Sequence, residues 1–453
     1  MEQEKKEVVQ GNKMGTMPEF KLLMNMSVPM IISMLIQSLY NIVDSIFVAK
    51  ISENALTAVS LVFPAQSVMI AVATGTGVGV NSLVSRRLGE KQFEDANKTA
   101  NVSMLLAGLS YLVFLLVGVF GSRFFFAVQT DNAEIISYGT TYMMIVCSFS
   151  FGIFYDIMFE RLLQATGRSI HTMVMQLSGT VINLVLDPIL IFGYLGAPKM
   201  GMAGAAVATV AGQIFGMLLG LVFNLKVNKE IRLSFRQMRF YGKIIKEIYA
   251  ISIPAILMQS IGSVMVFLMN KILLGFTTTA TAVFGVYFKL QSFVFMPTFG
   301  LNNGLIPIVA YNYGAKKRER MVNTMKYGMI FAAIVMAVGF ALAQIIPGPM
   351  LRMFDASEQM LGIGIPALRI ISFSFIMAGI SIVASGVFQA VGRSMNSLVM
   401  SIIRQVVVLL PVAWLLARTG NLDAVWLSFP IAEVVGFVTS LVLLRRTMKE
   451  WTF

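Results

Sequence analysis

Two carboxylates, Asp44 and Asp187, stand inside long apolar stretches of the chain, each with polar company at helical spacing. Gln37, Tyr40, Asn41 and Asp44 fall at i, i+3, i+4 and i+7, which gathers them into one stripe on a helix. Asn183 and Asp187 are one turn apart, and Pro188 removes a backbone donor beside the carboxylate, so a kink is expected there. Thr209 and Gln213 form a further pair at i, i+4. At membrane depth, carboxylate, amide and hydroxyl oxygens suit one of two chemistries. They can bind Na⁺, here at Asp44, Asn183 and Asp187, or carry a proton on a carboxylate. The competing role is to hydrogen-bond neighbouring helices together. An aspartate at a helix centre costs about 2.5–3.5 kcal/mol to insert, which favours function for the two acids. For Asn183, and more so for Thr209, interhelical bonding competes.

The elements that must position these residues are duplicated. The second half repeats the first at a constant offset of 225 residues, without a gap. Ser27 and Pro29 return as Ser252 and Pro254; Ala55, Phe63, Gln66 and Ser67 as Ala280, Phe288, Gln291 and Ser292; Gly75, Gly79 and Gly89 as Gly300, Gly304 and Gly314. Gln164-Ala-Thr-Gly-Arg-Ser169 returns as Gln389-Ala-Val-Gly-Arg-Ser394. A duplicated hydrophobic bundle is a common plan of secondary transporters. The acids are not duplicated: Met269 stands opposite Asp44 and Val412 opposite Asp187. Coupling-ion chemistry therefore belongs to the first half, and the second half shapes a cavity.

With 57% hydrophobic residues, 13% charged and a mean hydropathy of +0.78, an ordinary soluble domain is excluded. Crossing a bilayer takes about 20 helical residues, and twelve candidate spans are counted, near 20–48, 55–85, 99–121, 135–158, 170–194, 201–224, 246–275, 279–310, 327–348, 362–388, 395–417 and 421–444. The expected fold is an all-α integral membrane protein of twelve transmembrane helices in two pseudo-symmetric six-helix bundles. Six spans per half is an even number, so the repeats are parallel. The expected layout is a segment 1–19, a first lobe 20–225, a linker 226–245, a second lobe 246–445 and a tail 446–453.

The net charge of +13 reports topology and not nucleic acid. Of the 35 Lys and Arg, 26 lie at the termini and in loops after even-numbered spans, five in the opposite loops and four within spans. By the positive-inside rule both termini are expected in the cytoplasm of a bacterial cell, the protein lying in its cytoplasmic membrane. The first 17 residues lack a signal-peptide core, so the first span is expected to serve as an uncleaved anchor. One cysteine, Cys147, and one histidine, His171, leave no disulfide framework and no His/Cys metal site. With no nucleophile or metal constellation, the chain is not expected to be an enzyme or to need a cofactor beyond a coupling ion, H⁺ or Na⁺.

Other charges inside the spans invite structural pairings. Lys289 and Glu433 are expected to neutralise each other across helices, and Glu160 to pair with Arg161 beside Asp156. Lys271 should snorkel to one surface and Arg404 to the other. Gly89 and Gly314 fit helix-terminating positions.

Several stretches resemble the multidrug and toxic compound extrusion (MATE) transporters: Tyr40-Asn-Ile-Val-Asp44-Ser-Ile-Phe, Leu163-Gln-Ala-Thr-Gly-Arg168, Asn183-Leu-Val-Leu-Asp187-Pro-Ile-Leu-Ile-Phe, and Pro307-Ile-Val-Ala-Tyr-Asn-Tyr-Gly314. The likeness runs in order along the whole chain and is strongest to the branch of DNA-damage-inducible and staphylococcal-type drug exporters. It implies a two-lobed antiporter that expels amphipathic organic cations, working as a monomer among membrane lipids, with Asp44, Asn183, Asp187 and Thr209 as coupling residues. Gln37, Tyr40, Asn41 and Gln213 are candidates for the substrate cavity. The seventh and tenth spans lack the acids that other branches carry there. The alternative within the same superfamily is a flippase for lipid-linked saccharides or phospholipids. Lys271 and Lys289 favour it, and the absence of Lys or Arg inside the first six spans counts against it.

Overall fold

The computed structural model describes residues 12–354 and 356–452, Phe235 by its backbone alone. Among the described residues there is no strand. The first eleven residues of the expected amino-terminal segment lie outside the described residues.

A short helix α1 (Lys13–Thr16) precedes α2 (Glu19–Ala49) and α3 (Glu53–Gly89). The first half continues with α4 (Phe93–Ala127), α5 (Ala133–Ser148), α6 (Phe151–Ala165), α7 (Ser169–Phe192) and α8 (Met202–Lys226). The second half follows the same order: α9 (Gly242–Leu274), α10 (Thr278–Gly314), α11 (Arg318–Ile345), α12 (Pro347–Arg352), α13 (Glu358–Ser372), α14 (Phe375–Ala390), α15 (Ser394–Ala417) and α16 (Leu422–Lys449). Ten of these helices are long and apolar enough to cross a membrane singly. The pairs α5/α6 and α13/α14, bent by 46° and 51°, each make one more span, giving twelve.

The repeat is kept down to single caps and turns. Ser52 accepts from the Ala55 amide to start α3, and its mate Thr277 accepts from the Ala280 amide to start α10, both at 3.0 Å. The two bent spans break at corresponding places, and Gly167 and Gly392 take left-handed turns with φ of 85° and 78°. Gly89 and Gly314 are the last residues of α3 and α10, the helix-terminating positions expected of them. Both remain helical, and the left-handed residues just beyond are another repeat pair, Lys91 and Lys316. The glycines are needed for close approach: a Cβ on Gly89 would strike the Tyr311 carbonyl, and one on Gly314 the Arg86 carbonyl.

That contact belongs to a pseudo-two-fold interface. Gly75 packs on Ile256 and Gly300 on Ile31; Gly79 packs on Ser252 and Gly304 on Ser27. Every partner is displaced from its counterpart by the repeat offset, so each contact is made twice, as across an isologous dimer. Hydrogen bonds crossing between the halves lie in the same region. Ser27 donates to the Leu301 carbonyl at 3.2 Å, Ser82 to the Gln389 carbonyl at 2.8 Å, and Arg87 meets Glu247 at 2.7 Å. This is the basic end of the bundle, where α2 begins and α3 ends. A buried apolar cluster fills it, joining Met14, Leu22, Leu23 and Met26 to Leu301, Leu305, Val383 and Phe388.

Helix α1 straps the two halves together there. Met14 is fully buried, and the Met14, Gly15 and Met17 carbonyls accept from Asn312, Lys317 and Arg320 of the second half. On its other side, Asn12 donates to the Thr166 carbonyl of the first half at 3.4 Å.

Candidate functional site

Helices α2, α7 and α8 bring the polar residues of the first half to one place. Glycines let α7 and α8 approach: Gly179 and Gly212 each lie against the other's carbonyl, and Gly204 lies against that of Leu190. The turn so packed carries Asn183 and Asp187, and α7 runs unbroken through Pro188. Asn183 is 4% exposed and Asp187 is fully buried.

The Tyr40 hydroxyl donates to the Asn183 side-chain oxygen. The amide nitrogen then faces the Asp187 carboxylate, at 3.0 and 3.3 Å from its two oxygens. The Asp44 carboxyl lies within hydrogen-bonding reach of the Asp187 carboxyl, and one Asp44 oxygen is buried with no partner. Thr209 donates to the Ala205 carbonyl at 3.0 Å, and its hydroxyl lies within reach of Tyr40 and Tyr142. Gln66 donates to the Tyr142 hydroxyl at 3.4 Å. Two bare carboxylates this close in apolar surroundings repel each other. A shared proton or a bound cation relieves that repulsion, and the ring of hydroxyl and amide oxygens suits either.

A family model described as MatE matches residues 29–189 and 254–415, one block in each half. The chain belongs to the MatE family. Curated relatives include the multidrug export protein MepA of Staphylococcus haemolyticus, 27% identical over 92% of this chain and 91% of that protein. MepA of Staphylococcus aureus (strain MRSA252) is 26% identical over 92% and 91%. Among solved structures, an outward-facing multidrug resistance MATE family transporter superposes with a TM-score of 0.90 at 23% identity, covering 98% of both chains. A MATE crystal structure in the straight conformation superposes with 0.91 at 24% identity, covering 98% of this chain and 99% of that one. The multi-pass membrane architecture follows from the family and the spans together.

Of the residues singled out by pattern in this MatE chain, Tyr40, Asp44, Asn183, Asp187 and Thr209 share one cluster. Gln37 and Asn41 are exposed on α2. Gln213 keeps a buried side-chain oxygen without a partner, one turn beyond Thr209. Tyr142 and Gln66 were missed. Tyr142 is a single polar atom in an apolar span, and Gln66 stood out only as a repeat match.

Two expected ion pairs are replaced. Glu433 pairs with Arg404 at 3.3 Å, and Lys289 instead lies 5.9 Å from the Phe354 ring centre. On α10 it is Tyr287 that turns towards Glu433, and Lys289, two residues on, points elsewhere. Arg404 therefore does not snorkel, while Lys271 lies over the Phe267 ring, 4.8 Å from its centre. Glu160 accepts from Gln164 at 2.8 Å and Gln176 at 3.0 Å; Arg161 donates to Gln164 at 2.8 Å and, across the interface, to Asn303 at 3.2 Å. Consecutive residues on a helix do not face each other, so Gln164 stands between them.

Proposed function

We propose that this protein is a multidrug efflux antiporter, exporting amphipathic organic cations in exchange for H⁺ or Na⁺ by alternating access. One observation carries the reading: two adjacent carboxyl groups, Asp44 and Asp187, buried within the spans of one half and absent from the other. Loading that pair with a proton or Na⁺ removes a repulsion. A cationic substrate competes for the same negative charge, so ion and drug occupy the carrier in turn. The names of the staphylococcal relatives support the drug-export part of this reading.

The basic end is the cytoplasmic end by the positive-inside rule, which also puts both termini in the cytoplasm. The halves are sealed there by the glycine contacts and the apolar cluster, which fits the outward-facing state of such a cycle. Parting that seal would open the carrier inward. Each coupling charge moving down the membrane potential contributes about 2.3 kcal/mol per 100 mV. Such a carrier needs no catalytic group and no resident cofactor.

The test is ethidium transport in proteoliposomes under an imposed H⁺ or Na⁺ gradient, wild type against Asp44→Asn. Transport under one gradient, lost in the variant, is expected. Transport that survives in Asp44→Asn would remove the coupling role from the pair. No ethidium movement under either gradient, with translocation of a fluorescent phospholipid instead, would replace the exporter with a flippase.

A further inference from the structure

At the basic end of the first half, under the linker and away from the aspartate pair, lies a cavity of about 1290 Å³. Its walls come from the strap, the start of α4, the turn into α7 and the run from the end of α8 into the linker. Its carboxylates are already engaged: Glu94 holds Lys98 and Glu230 holds Arg168, each at 2.8 Å. Arg168 is fixed further by the Val227 carbonyl at 3.0 Å and the Thr166 carbonyl at 3.2 Å. Lys13, Lys229 and Arg232 line the same space, and among the described residues none has a carboxylate within ion-pair distance. Burial, and then the Arg168 charge, push the Lys13 ammonium below its usual range, with Glu230 opposing. The cavity thus holds positive charge in excess of what its own acids neutralise.

Two further features narrow the ligand. Asn228, only 4% exposed, lines the cavity with a side-chain oxygen that has no partner, ready to accept from a hydroxyl. Ile170 and Leu225 border the cavity from the membrane-spanning helices α7 and α8 and are 50% and 59% exposed, an apolar lip where acyl chains could pass. We propose that this cavity binds a phosphate-bearing anion with a hydroxyl group, entering from the adjoining leaflet as the headgroup of an anionic phospholipid. Basic pockets on the cytoplasmic side of membrane bundles favour such headgroups. Lys13 belongs to the strap, whose carbonyls hold Asn312, Lys317 and Arg320, so the occupant also braces the contact between the halves.

The proposal is tested by calorimetric titration of the full-length protein in detergent with dihexanoyl-phosphatidylglycerol, beside glycerol 3-phosphate and dihexanoyl-phosphatidylcholine. Saturable one-site binding of the phosphatidylglycerol, weakened about tenfold or more in Lys229→Gln/Arg232→Gln, is expected. Both side chains are exposed, so the fold should be unaffected. Arg445→Gln/Arg446→Gln removes equal charge from exposed positions at the same end and should leave the affinity unchanged. Glycerol 3-phosphate binding as tightly as the lipid would overturn the leaflet as the source and keep the anion site. Equal affinity for phosphatidylcholine, equal weakening in the control pair, or no saturable binding would overturn the site.

Discussion

The two halves share a backbone frame and differ in what they bury within it. In the first, Tyr40, Asp44, Tyr142, Asn183, Asp187 and Thr209 converge. At the same frame positions the second half has Met265, Met269, Ala367, Val408, Val412 and Val434, all apolar. The second half has its own charge pair within the spans, half-buried Arg404 and buried Glu433, where the first half has Gly179 and Ala208. The difference is electrostatic. An arginine and a glutamate neutralise each other and leave nothing to load, whereas two carboxyls leave room for one positive charge. Duplication supplied a symmetric frame, and at these positions only the first half sets two carboxyls side by side with no cation between them.

The largest effect should come from moving that asymmetry. Asp187→Asn is expected to reduce gradient-driven ethidium transport to the level of empty proteoliposomes. Adding Met269→Asp and Val412→Asp in the second half should not restore it, because Val408 and Val434 there supply none of the surrounding oxygens. Recovery of transport in the grafted chain would show that the frame alone, and not the ring of oxygens, decides coupling.

Next in size is the second half's own pair. Arg404→Met leaves Glu433, 7% exposed, without its counter-charge, and removing one partner of a buried pair costs about 3–5 kcal/mol. The double variant Arg404→Met/Glu433→Leu should recover most of that stability and keep coupled transport, read from a denaturation midpoint and from ethidium flux. If the double variant is stable but uncoupled, the pair takes part in the transport cycle and both halves carry charges that the cycle uses.

The interface between the halves should behave oppositely, as a symmetric object. Gly89→Ala and Gly314→Ala each force a methyl group against a carbonyl of the other half, an overpacking cost of about 1–3 kcal/mol on the closed basic end. Both variants should lengthen the distance between spin labels on Lys98 and Glu319 to a similar degree. Unequal shifts would mean that one half leads the opening.

The frame was legible because it depends on many residues at once. Apolar length fixed twelve spans, and a gapless repeat tied them in pairs. Asp44 and Asp187 were legible because a charge in an apolar span has few reasons to be there, and Asn183 because it stands one turn from Asp187. What stayed hidden depends on rotation about a helix axis, or on a single atom. Tyr287 and Lys289 differ by two residues, and only packing decides which of them turns towards Glu433. The bends within the fourth and tenth spans carry no Pro or Gly at the break, where Phe149-Ser150 and Phe373-Ser374 stand, so composition gave no warning. Gly89 and Gly314 were legible as helix ends, but not as the places where the opposite helix comes closest.

The smallest and sharpest test of the comparison is Tyr142→Phe. The hydroxyl lies within reach of Thr209, accepts from Gln66 at 3.4 Å, and has no counterpart at Ala367 in the second half. The proposed role is that of a positioning group: the hydroxyl lies between Gln66 and Thr209, which in turn lies within reach of Tyr40. Removing one such hydrogen bond is worth about 0.5–1.5 kcal/mol, so transport should fall about fivefold, with the half-saturating concentration of the coupling ion raised to a similar degree. The ring itself stays, so the buried contacts that Tyr142 makes in the first-half core are kept, and the denaturation midpoint should barely move. A lowered midpoint with unchanged ion dependence would make the hydroxyl a packing device. The proposed cation-loading cluster would then shrink to Tyr40, Asp44, Asn183, Asp187 and Thr209, whose hydroxyl still lies within reach of Tyr40.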